Sequence, residues 1–263
     1  MRRLLLAILM SWTAFGARAD ESDNELATKL SNPVASLISV PFQFNYDCCY
    51  GPADGRRITL NIQPVVPFEL NTDWNLIVRT ILPVVDQEEL FAGAGNGAGL
   101  GDTTQSFFFS PKATLDGWVW AVGPAFLWPT ATDGTIGGGK WGAGPTALML
   151  KQQSGWTVGA LANHIWSYAG SGAGPNTSNT FIQPFVGYTW PDTTGITLNS
   201  ESTYDWTGNH WAVPIHFQVS KIVRFGHQPV SFGGAMRCWA TTPSGGPEGC
   251  GLRIVVTGLF PKK

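Results

Sequence analysis

From His210 to Ser220 the chain alternates without interruption. Trp211, Val213, Ile215, Phe217 and Val219 hold the odd positions, and His210, Ala212, Pro214, His216, Gln218 and Ser220 the even ones. A period of two sends successive side chains to opposite faces of an extended strand, so one face is built for an apolar medium and the other for a polar one. The pattern recurs. Ile58, Leu60, Ile62, Val66 and Phe68 oppose Arg57, Thr59, Asn61 and Gln63, and Trp118, Trp120, Val122, Phe126 and Trp128 oppose small residues. In Ile196 to Trp206 one face is wholly polar: Thr197, Asn199, Glu201, Thr203 and Asp205.

About twelve such runs can be drawn, at 34–46, 57–68, 74–85, 100–110, 117–128, 140–151, 156–168, 180–190, 195–206, 210–221, 228–241 and 250–260. An even number of strands near ten residues is what a transmembrane barrel of the outer-membrane type requires. The connections alternate as well. "DCCYGPADGR", "DQEELFAGAGNGAG", "PTATDGTIGGG", "AGSGAGPNTSN" and "TPSGGPEG" are long, whereas "ELNTD", "PKATLDG", "QQSG", "PDTT" and "RFGHQ" are brief; only the outer connection "TGNH" breaks the alternation. Long loops outside and short turns on the periplasmic side fit a barrel with both termini in the periplasm.

A soluble β-sandwich also alternates, but it covers its outside with charge. Charged residues are only 13% of this chain, beside 12 Trp and 15 Phe. Trp74, Trp118, Trp128, Trp141, Trp156, Trp190, Trp206 and Trp211 fall at run ends, where an aromatic girdle meets the lipid interface. The reading is all-β: a single 12-stranded antiparallel transmembrane barrel over 34–263. A net charge of −2 gives no reason to expect nucleic acid.

Met1-Arg2-Arg3, an apolar run through Phe15 and Ala17-Arg18-Ala19 have the form of a secretory signal peptide over 1–19. Residues 20–33 form a polar leader in which Leu26 and Leu30 stand at helical spacing, ended by Ser31-Asn32-Pro33. Export permits disulfides. With the barrel drawn, Cys48, Cys49, Cys238 and Cys250 gather at the outer rim beside the closing seam. Cys238–Cys250 is the expected bridge, and Cys48 or Cys49 is a competing partner.

Three stretches invite a chemical reading. "FAGAGNGAGLGD", Phe91 to Asp102, fits a dinucleotide fingerprint, but "DTTQSFFFSP" follows it where a helix is needed; it is read as an outer loop, and no cofactor is expected. His210 and His216 lie too far apart along a strand for one metal, about 20 Å. A lipid hydrolase would need a serine within reach of His164. Ser167 differs from His164 in parity, and Ser200 and Ser202 lie on a strand that is not adjacent, so no catalytic residue is assigned.

Several stretches carry a resemblance: "LSNPVASLISVPFQFNYD", "LNIQPVVPFELNTDWNLIVRTILPVV", "GLGDTTQSFFFSP", "GKWGAGPTALMLKQ", "WTVGALANHIWSYAG", "TFIQPFVGY", "LNSESTYDW" and "WAVPIHFQVSK". In this order they span nearly all of the mature chain. They resemble the bacterial outer-membrane transporter family often mislabelled neuromedin U, related to the phenol-degradation MetA-pathway barrel family. The resemblance implies one outer-membrane barrel with a transport role and carries over no site. The last run, Leu252 to Phe260, resembles the C-terminal signal read by the barrel-assembly machinery, although Pro261-Lys262-Lys263 follow it.

The lumen decides what a pore passes. On the inward parity fall Gln43, Asn45, Arg57, Asn61, Gln63, Asn75, Arg79, Asp102, Gln183, Asn199, Glu201, Asp205, His216, Gln218, Arg237 and Arg253. Arg57, Arg79, Arg237 and Arg253 lie on the second, third, eleventh and twelfth runs, and Asp102, Glu201 and Asp205 on the fourth and ninth. Either the charges pair and fill the lumen, or they stand apart as a transverse field. The expected function is an outer-membrane channel or passive transporter for small solutes, apolar ones included, in a Gram-negative bacterium. The alternative is a structural or surface-interaction barrel with a plugged lumen.

Overall fold

The computed structural model describes residues 21–51, 54–90, 95–170 and 176–261; the signal-peptide assignment over 1–19 lies outside them. One helix, α1 (Glu21–Leu30), precedes β1 (Ile38–Tyr50), β2 (Gly55–Ile62), β3 (Val65–Glu69), β4 (Trp74–Glu88), β5 (Asn96–Leu100), β6 (Thr103–Pro111), β7 (Trp118–Trp128) and β8 (Trp141–Gln153). Then come β9 (Trp156–Ala169), β10 (Ser178–Thr189), β11 (Thr194–Ser200), β12 (Ser202–Asp205), β13 (His210–Phe225), β14 (Gln228–Thr241) and β15 (Cys250–Phe260).

Three pairs of segments are single strands with a local break: β2 with β3, β5 with β6, and β11 with β12. β2 and β3 both pair with β1 and β4, β11 and β12 both with β10 and β13, and β5 and β6 both with β4, so the sheet has twelve staves. Pro64, at the first break, has no N–H for the ladder. Every neighbouring pair is antiparallel, and the barrel closes where β1 meets β15 over Ile38↔Phe260 to Tyr46↔Leu252. Closure leaves no edge, the condition for strands to cross a bilayer.

The alternation acts as expected. On β9, Trp156, Val158 and Trp166 face outward and remain about half exposed, while Thr157, Leu161 and Ile165 are buried inside. Phe42, Phe217, Phe232, Met236, Leu252 and Ile254 are likewise exposed on the outer wall. So continuous an apolar surface is stable only in lipid. Trp156 and Trp166 stand ten residues apart on β9, about 33 Å along the strand. At a tilt of about 40° that is about 25 Å of height, the thickness of the apolar band. Around Trp156, Tyr188 and Trp190 form one aromatic cluster at the short-turn end; Tyr204, Trp206 and Trp211 form another at the opposite end.

Two connections differ from expectation. "DCCYGPADGR" is mostly strand, because β1 runs on to Tyr50 and β2 resumes at Gly55. Within "FAGAGNGAGLGD", Asn96–Leu100 is β5, paired with the upper part of β4 from Glu88↔Asn96 to Val84↔Leu100; residues 91–94 lie outside the described ones. The glycines have a packing reason. Residues 129–140 fold back onto β5, and a Cβ on Gly97 would stand 2.5 Å from Thr135 Oγ1, one on Gly99 2.2 Å from Thr132 Oγ1. That loop is held by its own turn: the Thr135 hydroxyl and then its backbone N–H bond the Asp133 carboxylate and hold it below the ordinary carboxylate range.

The leader enters the barrel from the short-turn end. Leu26, Ala27 and Leu37 pack with Ile222 and Leu259, and Val34 joins Ile77, Phe108 and Leu148 in the interior. Its polar groups are caught on several staves. Gln152 Nε2 donates to Thr28 O and to Ser31 Oγ, both at 2.8 Å, Ser31 and Thr157 hydroxyls meet at 2.9 Å, and Asp23 pairs with Arg224. An amphipathic helix too short to stand alone in water is stabilised here by the wall it crosses.

Candidate functional site

The lumen has two unlike walls. Strands β6 to β10 turn Phe108, Ala121, Leu148, Leu150 and Leu161 inward, with Phe181 and Phe185 beside them. From β11 round to β2 the inward groups are polar, and the charged ones gather toward the outer end. There a cavity of about 590 Å³ is lined by Arg57, Arg237, Arg253, Asp47, Glu201 and Trp239 among others, under the last outer loop at 243–247.

Each charged group has a distinct setting. Arg253 is 3% exposed, donates Nε to Asn45 Oδ1 at 2.6 Å, and makes a fork to Glu201 through Nη1 at 2.7 Å and Nη2 at 2.8 Å. Arg237 gives Nη1 to Asp47 at 2.5 Å and lies over the Trp239 ring, 4.5 Å from its centroid. Trp239 Nε1 donates to the other Asp47 oxygen at 3.0 Å. Arg57 donates Nε and Nη2 to Gln87 Oε1 at 3.1 and 2.6 Å, and Gln87 Nε2 passes the contact on to Thr135 O at 3.0 Å in the folded-back loop. His216 is fully buried, with Nδ1 2.7 Å from Asn199 Oδ1 and no partner at Nε2.

Of the eight residues expected on the lumen, the structure gathers Arg57, Glu201, Arg237 and Arg253 in this cavity and buries His216. Arg79 lies apart: its Nη2 donates to Gln63 Oε1 at 3.1 Å, and it lines a second cavity of about 260 Å³ with Leu127, Ile165 and Phe181. Asp102 is tied to the folded-back loop. Its oxygens accept the backbone N–H groups of Ala131 and Gly138 at 3.2 and 2.8 Å, because a short carboxylate beside a glycine-rich loop is captured by the nearest unpaired donors. Asp205 is likewise drawn to Thr207 N at 2.8 Å in its own turn. Glu201, then, does not stand off from the arginines as one plate of a field but is locked to Arg253. Asp47, the partner of Arg237, was missed, because it sits in a run that the sequence reading gave to a loop.

Cys238 and Cys250, direct register partners on β14 and β15, are joined in a disulfide at the base of the last outer loop. Cys48 and Cys49 are free thiols, 2.9 Å apart. On the outer wall His164 Nδ1 lies 2.7 Å from Thr180 Oγ1, which also accepts Trp206 Nε1 at 2.8 Å. Ser178 Oγ is 3.5 Å from His164 Nε2, a neighbour that cross-strand register supplies and sequence spacing does not show. Among the described residues no group of His, Cys, Asp and Glu is arranged to hold a metal ion.

No protein-family model and no curated protein matches the sequence. Solved structures do match in fold. An outer membrane channel from Pseudomonas putida F1 superposes with a TM-score of 0.60 at 15% identity, covering 85% of this chain and 94% of that one. Outer membrane phospholipase A from Escherichia coli gives 0.50 at 8% identity, covering 85% and 90%. Identities this low carry the architecture, a twelve-stranded outer-membrane barrel, and nothing about chemistry.

Proposed function

We propose that the chain is an outer-membrane channel or passive transporter for small solutes, apolar ones included, in a Gram-negative bacterium. The observation that carries this reading is the cavity of about 590 Å³ at the outer end of the barrel, in an interior that is polar on one side and apolar on the other. Such a lumen offers a path to molecules that a water-filled pore with two polar walls would disfavour. The channel of similar fold supports the reading, though at low identity.

The second reading, a plugged structural barrel, draws on α1 and the turn after it, which occupy the short-turn end of the lumen. Planar-bilayer recording and liposome uptake separate the two. Openings with solute uptake are expected; a silent barrel that admits nothing sinks the transport reading. A lipid-hydrolysing role is disfavoured by the geometry of His164. Its Nδ1 faces a threonine that also receives an indole N–H, and Ser178 Oγ stands at the edge of hydrogen-bond range. The wild type and His164→Ala are expected to be equally inactive on phospholipid. The outer-membrane bilayer and the barrel-assembly machinery are the partners this reading requires.

A further inference from the structure

The outer cavity holds more positive charge than its own acids neutralise. Three guanidinium groups, Arg57, Arg237 and Arg253, line it with two carboxylates, Asp47 and Glu201. Arg253 is saturated by Asn45 and Glu201. Arg237 engages Asp47 through Nη1, but its Nε is buried without a partner among the described residues. Arg57 donates to the neutral amide oxygen of Gln87 and engages the Tyr50 hydroxyl, and among the described residues no carboxylate forms an ion pair with it. A cation held in a partly enclosed site without a counter-charge is costly, and the cost disappears when a ligand brings the charge. Guanidinium forks match a carboxylate in shape and give charge-assisted bonds. Beside them Trp239, Tyr50 and Leu90 offer apolar and aromatic surface in the same cavity.

We propose that this cavity binds an organic monoanion, a carboxylate on an apolar or aromatic body, with the carboxylate drawn to Arg57 and the body against Trp239. The proposal deepens the transport reading, and for its physiological meaning rests on it. The rest of the site fits the assignment. The ring of Trp239 is pinned by its own bond to Asp47 and by Arg237 over one face, so its position in the cavity wall is fixed. The loop above is tied at its base by Cys238–Cys250, so the roof of the cavity stays in place. Occupancy of Arg57 would also compete with Gln87 for its donors, and Gln87 is what links β4 to the folded-back loop at Thr135.

The test measures binding on the full folded chain in detergent micelles, where no membrane crossing is involved. Tryptophan fluorescence and calorimetry are followed with benzoate, phenylacetate and octanoate, each beside its neutral amide. At least one anion is expected to bind saturably and at least tenfold more tightly than its amide. Arg57→Gln is expected to remove that difference while leaving the amide unchanged, and raising the salt concentration to weaken the anion alone. The salt series uses the unaltered protein, so the proposal stays exposed to refutation even if the variant fails to fold. Anions and amides that bind alike, or an anion affinity indifferent to both salt and Arg57→Gln, overturn it. Conductance in bilayers without any anion preference in binding would leave the channel reading standing and remove this one.

Discussion

Glu201 meets Arg253 through two parallel hydrogen bonds of 2.7 and 2.8 Å inside the barrel, tying the break between β11 and β12 to β15. Arg253 is 3% exposed, so its charge has no solvent to fall back on. Glu201→Gln is therefore expected to destabilise the folded barrel by about 3 kcal/mol, the penalty for a buried charge left unpaired. Glu201→Gln combined with Arg253→Met should recover most of that loss, because an apolar replacement of both partners removes the stranded charge. Urea unfolding in micelles reads both; a double variant no more stable than the single one argues against the pairing.

The pair also marks what the sequence could and could not disclose. Alternation located all twelve staves, since lipid outside and a lumen inside impose a period of two on every strand, as in His210–Phe225. Parity also placed Arg57, Glu201, His216, Arg237 and Arg253 inward. It does not encode height. Asp102 and Asp205 have the inward parity but lie near connections, where backbone N–H groups take their carboxylates. Nor does it encode register, which is why Thr180 and Ser178 beside His164 emerge only when strands are paired.

Gly97 and Gly99 form the seat of the loop at 129–140. A valine at either position places its Cβ within 2.5 or 2.2 Å of Thr135 or Thr132 Oγ1, closer than side-chain atoms approach without displacement. Gly97→Val is expected to lift the loop off β5, break the bond from Gln87 to Thr135 O and expose 129–140 to protease. Limited proteolysis of the folded protein, with cleavage mapped by mass, checks this. A cleavage pattern identical to wild type refutes the seat.

Cys238 and Cys250 close a connection with a sequence separation of 12. Loop-closure entropy for a ring of this size is worth about 3 kcal/mol, provided the reduced protein keeps the same native geometry. Cys238→Ser with Cys250→Ser should lower the unfolding midpoint, and reducing agent should lower that of the wild type but not of the double variant. Because the same loop roofs the cavity over Trp239, its fluorescence should become more accessible to an aqueous quencher in the double variant. Equal quenching would detach the staple from the cavity.

Gln152 holds the leader at two points, since its amide nitrogen reaches Thr28 O and Ser31 Oγ, both at 2.8 Å, beside Thr157 Oγ1 of the wall at 3.0 Å. A hydrogen bond of this kind contributes about 1 kcal/mol net. Gln152→Ala therefore shifts the balance between a seated and a released leader by a few kcal/mol at most, a factor of about ten for each 1.4 kcal/mol. The opposite anchor, Asp23 on Arg224, remains in place, so release should be partial and the variant folded. In single-channel recording Gln152→Ala is expected to raise the fraction of time open severalfold without changing the size of the largest opening. Adding Asp23→Asn should raise the open fraction further. If both variants keep wild-type occupancy, the leader does not set the conductance, and the path for solutes must bypass the short-turn end of the lumen.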